Sequence, residues 1–211
     1  MIFADRTAAG IALAERLVSA ELDHPLILGL PRGGLPVAEP VAKRLKAGLD
    51  IVVARKIGAP GHPEFGVGAI AEDGPPVFDR DNLRYAGATE AGMAATLAAE
   101  RVELKRRIRD YRGDRPAPAV RGRTVVLVDD GLATGVTARA AILWLRGHGA
   151  ERVVLAVPVG APSARDALSA EAEVVCLSAP DRFAAVGQWY DDFAQLTDED
   201  VKAVLSEFIT C

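Results

Sequence analysis

Val125-Val126-Leu127-Val128-Asp129-Asp130-Gly131-Leu132-Ala133-Thr134-Gly135-Val136-Thr137 is the stretch whose reading decides the fold. Four apolar residues run straight into two adjacent carboxylates, then a short loop of small and hydroxyl residues, then a helical pattern. A run that is apolar on both alternating faces predicts a strand over 124–128, inside a sheet covered on both sides. The helix expected over 137–147 would present unpaired backbone N–H groups at its start. Thr134 and Thr137 add two hydroxyls there, completing a cradle suited to a phosphate. The carboxylates at the strand end can accept hydrogen bonds from sugar hydroxyls or help to hold a hydrated Mg²⁺. An ordinary strand–turn–helix junction with a capping Asp accounts for one carboxylate. It does not account for two of them followed by Thr-Gly-x-Thr.

Outward from this stretch, apolar runs of strand length alternate with helical patterns. Asp5 caps a helix over 6–21, in which Ile11, Leu13, Leu17 and Val18 recur at helical spacing. Strands are predicted at 26–30, 50–54, 153–157 and 174–177. Helices are predicted at 35–47 (Val37, Ala38, Val41, Ala42 and Leu45 inward), about 90–111, 162–170 and 198–209. Residues 55–66 are rich in Gly and Pro and read as a mobile loop. Residues 66–72 and 77–78 suggest a hairpin or a bent strand. The fold expected is α/β and doubly wound, a mostly parallel sheet with a small hood from the chain ends. A single domain over 1–211 is expected, its core at about 26–180 and its hood and last helix at about 181–211.

Composition narrows the function. The chain has 211 residues, a net charge of −4, 50% hydrophobic residues and only 5% aromatic ones, several of them crowded between Phe183 and Phe208. Half the residues being apolar excludes general disorder. A slightly acidic balance argues against a nucleic-acid partner, which calls for a basic surface. The basic run at 101–115 (Arg101, Lys105, Arg106, Arg107, Arg109, Arg112, Arg115) is interspersed with Glu100, Glu103 and Asp110, and reads as a solvated helix face or a subunit contact. No apolar run is long enough to span a membrane, and the N-terminal residues do not read as a signal peptide. Two cysteines, Cys176 and Cys211, give no disulfide framework, so a cytoplasmic setting is expected.

Two further strand ends carry unusual residues. Leu30-Pro31-Arg32-Gly33-Gly34 combines glycines, which let backbone approach a ligand closely, with a guanidinium fork for phosphate oxygens. Ala54-Arg55-Lys56 places two cations before the Gly/Pro segment, which would act as a lid. A turn explains the first equally well, and a solvated basic pair is the plain account of the second.

The stretch at 125–137 closely resembles the signature with which type I phosphoribosyltransferases bind 5-phosphoribosyl 1-diphosphate (PRPP), matching in spacing at each element. The resemblance extends over about 26–180. It implies that Asp129 and Asp130 take the ribose hydroxyls and that Ala133, Thr134, Gly135, Val136 and Thr137 take the 5-phosphate. It implies a pyrophosphate loop of Arg32, Gly33 and Gly34, joined by Arg55 and Lys56. In that family the peptide after the residue matching Arg32 is often cis. Catalysis would fall to Asp129, Asp130, Arg32 and Lys56, with Mg²⁺ held indirectly by the two acids through PRPP hydroxyls or water. The acceptor would be a small nitrogenous compound contacted by Phe183 or Trp189. Ala133 stands where 6-oxopurine enzymes carry an Asp, which argues against hypoxanthine and guanine. The family also implies a homodimer. Some of its members sense PRPP without turnover, and the shared signature leaves that alternative open.

Overall fold

In the computed structural model, which describes residues 1–209, the chain runs through α1 (Arg6–Val18), β1 (Leu26–Gly29), α2 (Gly34–Leu45), β2 (Gly48–Ile51), β3 (Ala54–Ala59), β4 (His62–Ala71) and β5 (Val77–Phe78). It continues through α3 (Arg80–Tyr85), α4 (Ala94–Arg112), β6 (Thr124–Val128), α5 (Val136–Gly147), β7 (Arg152–Val159), α6 (Pro162–Leu168), β8 (Glu173–Ser178) and α7 (Asp198–Ile209). Five strands form a parallel sheet in the order β2-β1-β6-β7-β8. Its central strands are wholly buried, Val125 to Val128 and Val154 to Val157 all having no exposed surface. That is why they read as unbroken apolar runs. α1, α2, α4 and α7 contribute Leu13, Leu17, Val37, Val41, Leu104 and Leu205 to one core layer. On the other face Ile142, Trp144 and Leu145 of α5 pack with Leu168 of α6 and Ala69 of β4. The doubly wound expectation holds.

The strand order reverses between β1 and β6, where Gly29 pairs with Val128. From β1 the chain crosses to β2 on one side, and from β6 to β7 on the other. A crevice opens outside the carboxyl ends at such a point, and it collects the loops after β1 and β6.

Several boundaries differ from expectation. Residues 55–66 are not a loop: β3 and β4 form an antiparallel hairpin, with Lys56 opposite Ala69 and register shifts at Gly58. Gly and Pro there mark bulges and a turn inside paired strands, a signal that composition alone confuses with a loop. β5 pairs with β4, as a hairpin. α3 occupies residues that no helical pattern predicted. In α1, Leu13 and Leu17 are buried while Ile11 and Val18 are exposed. Within the basic run, Arg112 is no solvated residue, since its guanidinium is buried against the Glu72 carboxylate. Arg106 and Arg107 pair with Glu103 on their own helix, while Arg115 lies beyond the helix and pairs with Asp50. The cis peptide lies between Pro31 and Arg32, one bond earlier than the family pattern places it. Cys176 is a free thiol, and Cys211 lies outside the described residues. Among the described residues no helix is long and apolar enough to cross a membrane.

Candidate active site

The loop after β6 is pinned before it reaches α5. Leu132 accepts a backbone hydrogen bond from Ala161 and donates one to Val159 (2.8 and 2.9 Å), which ties the loop to the end of β7. Gly135 enters α5 at φ +77°, a conformation costly for any residue bearing a Cβ. Helix geometry leaves the N–H groups of residues 136–138 without partners inside the helix, and these residues line a cavity at the carboxyl end of β6.

The carboxylates precede this loop. The Asp130 N–H donates to Asp129 Oδ1 (2.9 Å), and Asp130 Oδ2 accepts from Arg6 Nε (2.8 Å). Burial raises the Asp129 carboxyl well above the usual carboxylate range, and the neighbouring Asp130 charge raises it further. Burial also raises Asp130, with Arg6 acting in the opposite direction. Two acids forced together and desolvated are a site built for hydroxyl or cation partners.

The loop after β1 presses on them directly. A Cβ on Gly33 would lie 2.0 Å from Asp130 Oδ2, and one on Gly34 would lie 2.5 Å from the Val128 carbonyl oxygen. Glycine is therefore required at both positions by close approach. We expect Gly33→Ala to displace the Asp130 carboxylate and weaken PRPP binding about 10-fold or more, by titration calorimetry. An unchanged affinity would show that the carboxylate position is irrelevant to the ligand.

A cavity of about 340 Å³ brings together Asp129, the residues 131–138 and Lys56, with Val186 on its rim. Lys56 Nζ donates to the Glu64 carbonyl (2.8 Å) across its own hairpin. Arg55 is not brought to this cavity. Strand alternation turns it to the other face, where it pairs with Glu100 of α4 at 2.7 Å. Arg32 is held by the chain's C-terminal segment: it donates to the Leu196 carbonyl and lies 3.6 Å from Asp198, which also accepts from the Tyr111 hydroxyl. Phe183 and Trp189 stack on each other (centroids 6.4 Å, planes 13° apart), beside Phe3 and Tyr190. Between them in sequence, Val186 covers Gly131, where a Cβ would meet it at 2.5 Å.

Three residues escaped the sequence reading. Arg6 grips Asp130, Tyr190 donates its hydroxyl to the Asp130 main-chain carbonyl (2.5 Å), and Val186 reaches the cavity. Only Tyr190 carried a local signal, as one of the crowded aromatics.

Taken with this geometry, the comparisons place the chain plainly. The model of the phosphoribosyl transferase domain matches residues 5–192, and the chain belongs to that family. Protein TT1426 of Thermus thermophilus is 50% identical, with a TM-score of 0.83 and 99% of each chain covered. Two Mycobacterium tuberculosis proteins, MT0597 and Rv0571c, provisionally named phosphoribosyl transferases, are each 48% identical over 206 residues. That alignment covers 97% of this chain and 46% of each relative, so the chain spans about half the length of the curated relatives it matches. The AQ2163 protein of Aquifex aeolicus, 14% identical over 86% of this chain and 78% of its own, has a TM-score of 0.53 and shares the fold alone.

Proposed function

We propose that the chain transfers the 5-phosphoribosyl group of PRPP to a small nitrogenous acceptor, a nucleobase other than a 6-oxopurine, with release of pyrophosphate. The observation that carries this reading is the single cavity shared by Asp129, Lys56 and the Thr134-Gly135-Val136-Thr137 turn. The turn holds the 5-phosphate through the N–H groups that begin α5 and the two threonine hydroxyls. Asp129 and Asp130 accept from the ribose hydroxyls and fix the ring. Lys56 and the backbone of Gly33 and Gly34 receive the diphosphate, and Arg32 joins them once it leaves Leu196 and Asp198. Arg55, paired with Glu100, contributes by holding the hairpin.

The donor set fits Mg²⁺. Two adjacent carboxylates at a strand end are what an ion needs when it keeps several waters and takes its other oxygens from a diphosphate. When bound, the ion neutralises charge on the leaving group. The protein's own share is orientation: both phosphate ends are held, the anomeric carbon faces the acceptor, and carboxylates lie near the positive charge that develops on the ring. Trp189 Nε1 is a buried donor with no partner among the described residues. Neither Trp189 nor Phe183 lines the cavity, so contact of the incoming base with either requires this ring pair to open towards it. We place this reaction in the cytoplasm, in a homodimer that sedimentation would test.

The deciding assay is PRPP- and Mg²⁺-dependent pyrophosphate release with a panel of nucleobases and small amines. Release with at least one nucleobase is expected, and none with hypoxanthine or guanine. PRPP binding without release for any acceptor would make the chain a PRPP sensor instead.

A further inference from the structure

Arg6 is nearly covered, with 11% of its side chain exposed against 15% for its partner Asp130. Its guanidinium works in three directions at once. Nε donates to Asp130 Oδ2 (2.8 Å), one terminal nitrogen donates to the Ala194 carbonyl (2.9 Å), and the plane lies 3.8 Å over the centre of the Phe193 ring. Phe193 in turn packs on Tyr190, whose hydroxyl holds the main-chain carbonyl of the same Asp130. The aspartate is thus fixed at its backbone by Tyr190 and at one carboxylate oxygen by Arg6. Oδ1 is left as the oxygen that can accept from a ligand, because Gly33 packs closely against Oδ2, which its Cβ would meet at 2.0 Å.

We propose that Arg6 is a positioning residue that presents the Asp130 carboxylate to the ribose hydroxyls of the phosphoribosyl ligand. The inference rests on the function proposed above and adds to it a specific duty: recognition of the sugar hydroxyls, separate from that of the phosphate. Three-way engagement explains why the position holds Arg. A lysine ammonium would keep the charge, but it has neither the fork to reach Asp130 and Ala194 together nor the flat face to rest on Phe193. Nothing in the arrangement involves the 134–137 turn, so the two halves of recognition can be separated by experiment.

The probes are ribose 5-phosphate and tetrahydrofurfuryl phosphate, which keeps the ring oxygen and the phosphate and lacks all three ring hydroxyls. Calorimetry on the full chain would give the ratio of their affinities. In the wild type the sugar phosphate is expected to bind about 10-fold or more tightly than its stripped analogue, since the hydroxyls donate to a charged acceptor. In Arg6→Gln that ratio is expected to fall towards one, while the affinity for tetrahydrofurfuryl phosphate stays within about twofold of wild type. Arg6→Lys is expected to lie between, and Phe193→Leu to reduce the ratio in the same direction. These two carry the comparison if Arg6→Gln melts below the working temperature. Equal weakening of both ligands in the variants would mean a merely structural clamp, and an unchanged ratio would mean no role at all. Either result overturns the proposal. A wild type that binds the stripped phosphate as well as the sugar would instead defeat the hydroxyl-binding reading of Asp129 and Asp130 itself. That outcome is visible before any variant is made.

Discussion

Replacing both acids, Asp129→Asn with Asp130→Asn, is expected to abolish measurable PRPP binding while the chain still folds. Each carboxylate would lose charge-assisted hydrogen bonds from sugar hydroxyls, at about 1.5–3 kcal/mol apiece, so two of them carry roughly a 10²- to 10⁴-fold loss. Calorimetry with PRPP and Mg²⁺ reads it directly, and an affinity equal to wild type would sink the site assignment. The single variants should separate stability from binding. Burial raises the Asp129 carboxyl, so the folded chain holds a proton there over a pH range where the unfolded chain has released it. The stability this contributes is full below the ordinary carboxylate pKa and is lost as pH rises through the raised value. Above the ordinary carboxylate pKa the desolvated carboxyl therefore weighs against the folded state. Asn at position 129 removes that cost and keeps the oxygen that accepts from the Asp130 N–H. Asp129→Asn is accordingly expected to melt higher than wild type at pH 7, the gap closing below about pH 4. Asp130→Asn should show less gain, because it also forfeits the Arg6 pair.

Arg112→Met is expected to cost about 3–5 kcal/mol of folding stability, the usual range for leaving one member of a buried ion pair alone. For a chain of this size that is a fall of roughly 10 °C in melting temperature. Arg112 and Glu72 are 2% and 5% exposed, joined by two hydrogen bonds of 2.9 and 3.0 Å. The same guanidinium donates to the Ile51 carbonyl, and Glu72 accepts from the Val53 N–H. This single pair closes the junction between β2 and β3, the piece of chain that delivers Lys56 to the cavity. Adding Glu72→Leu should recover much of the loss, because no charge is then left buried. Denaturant unfolding checks both variants, and a cost under about 1 kcal/mol for Arg112→Met would show that water reaches the pair.

What could be read from sequence follows how local its cause is. The strand at 124–128 was predicted to the residue, because a strand buried on both faces must be apolar throughout and its carboxylates end it abruptly. The hairpin at 54–71 was missed because bulges and loops draw on the same glycines and prolines. Reading it as a strand would have separated Arg55 from Lys56 by alternation alone. Arg112 looked like its exposed neighbours, since its partner lies 40 positions away. Arg6 had no local mark either: its partner is 124 positions distant, across a contact that only the closed fold creates. Residues grouped in short motifs stood out in the sequence, and residues that hold those motifs in place from a distance did not.

The pairing of Asp130 with Arg6 has an electrostatic consequence for how a ligand arrives. Arg6 and Asp130 neutralise one another, so this arginine presents no free positive charge to an arriving diphosphate. On the proposed function, affinity for such an anion would draw on the neutral dipoles at the start of α5, on Lys56 and on whatever counter-cation travels with it.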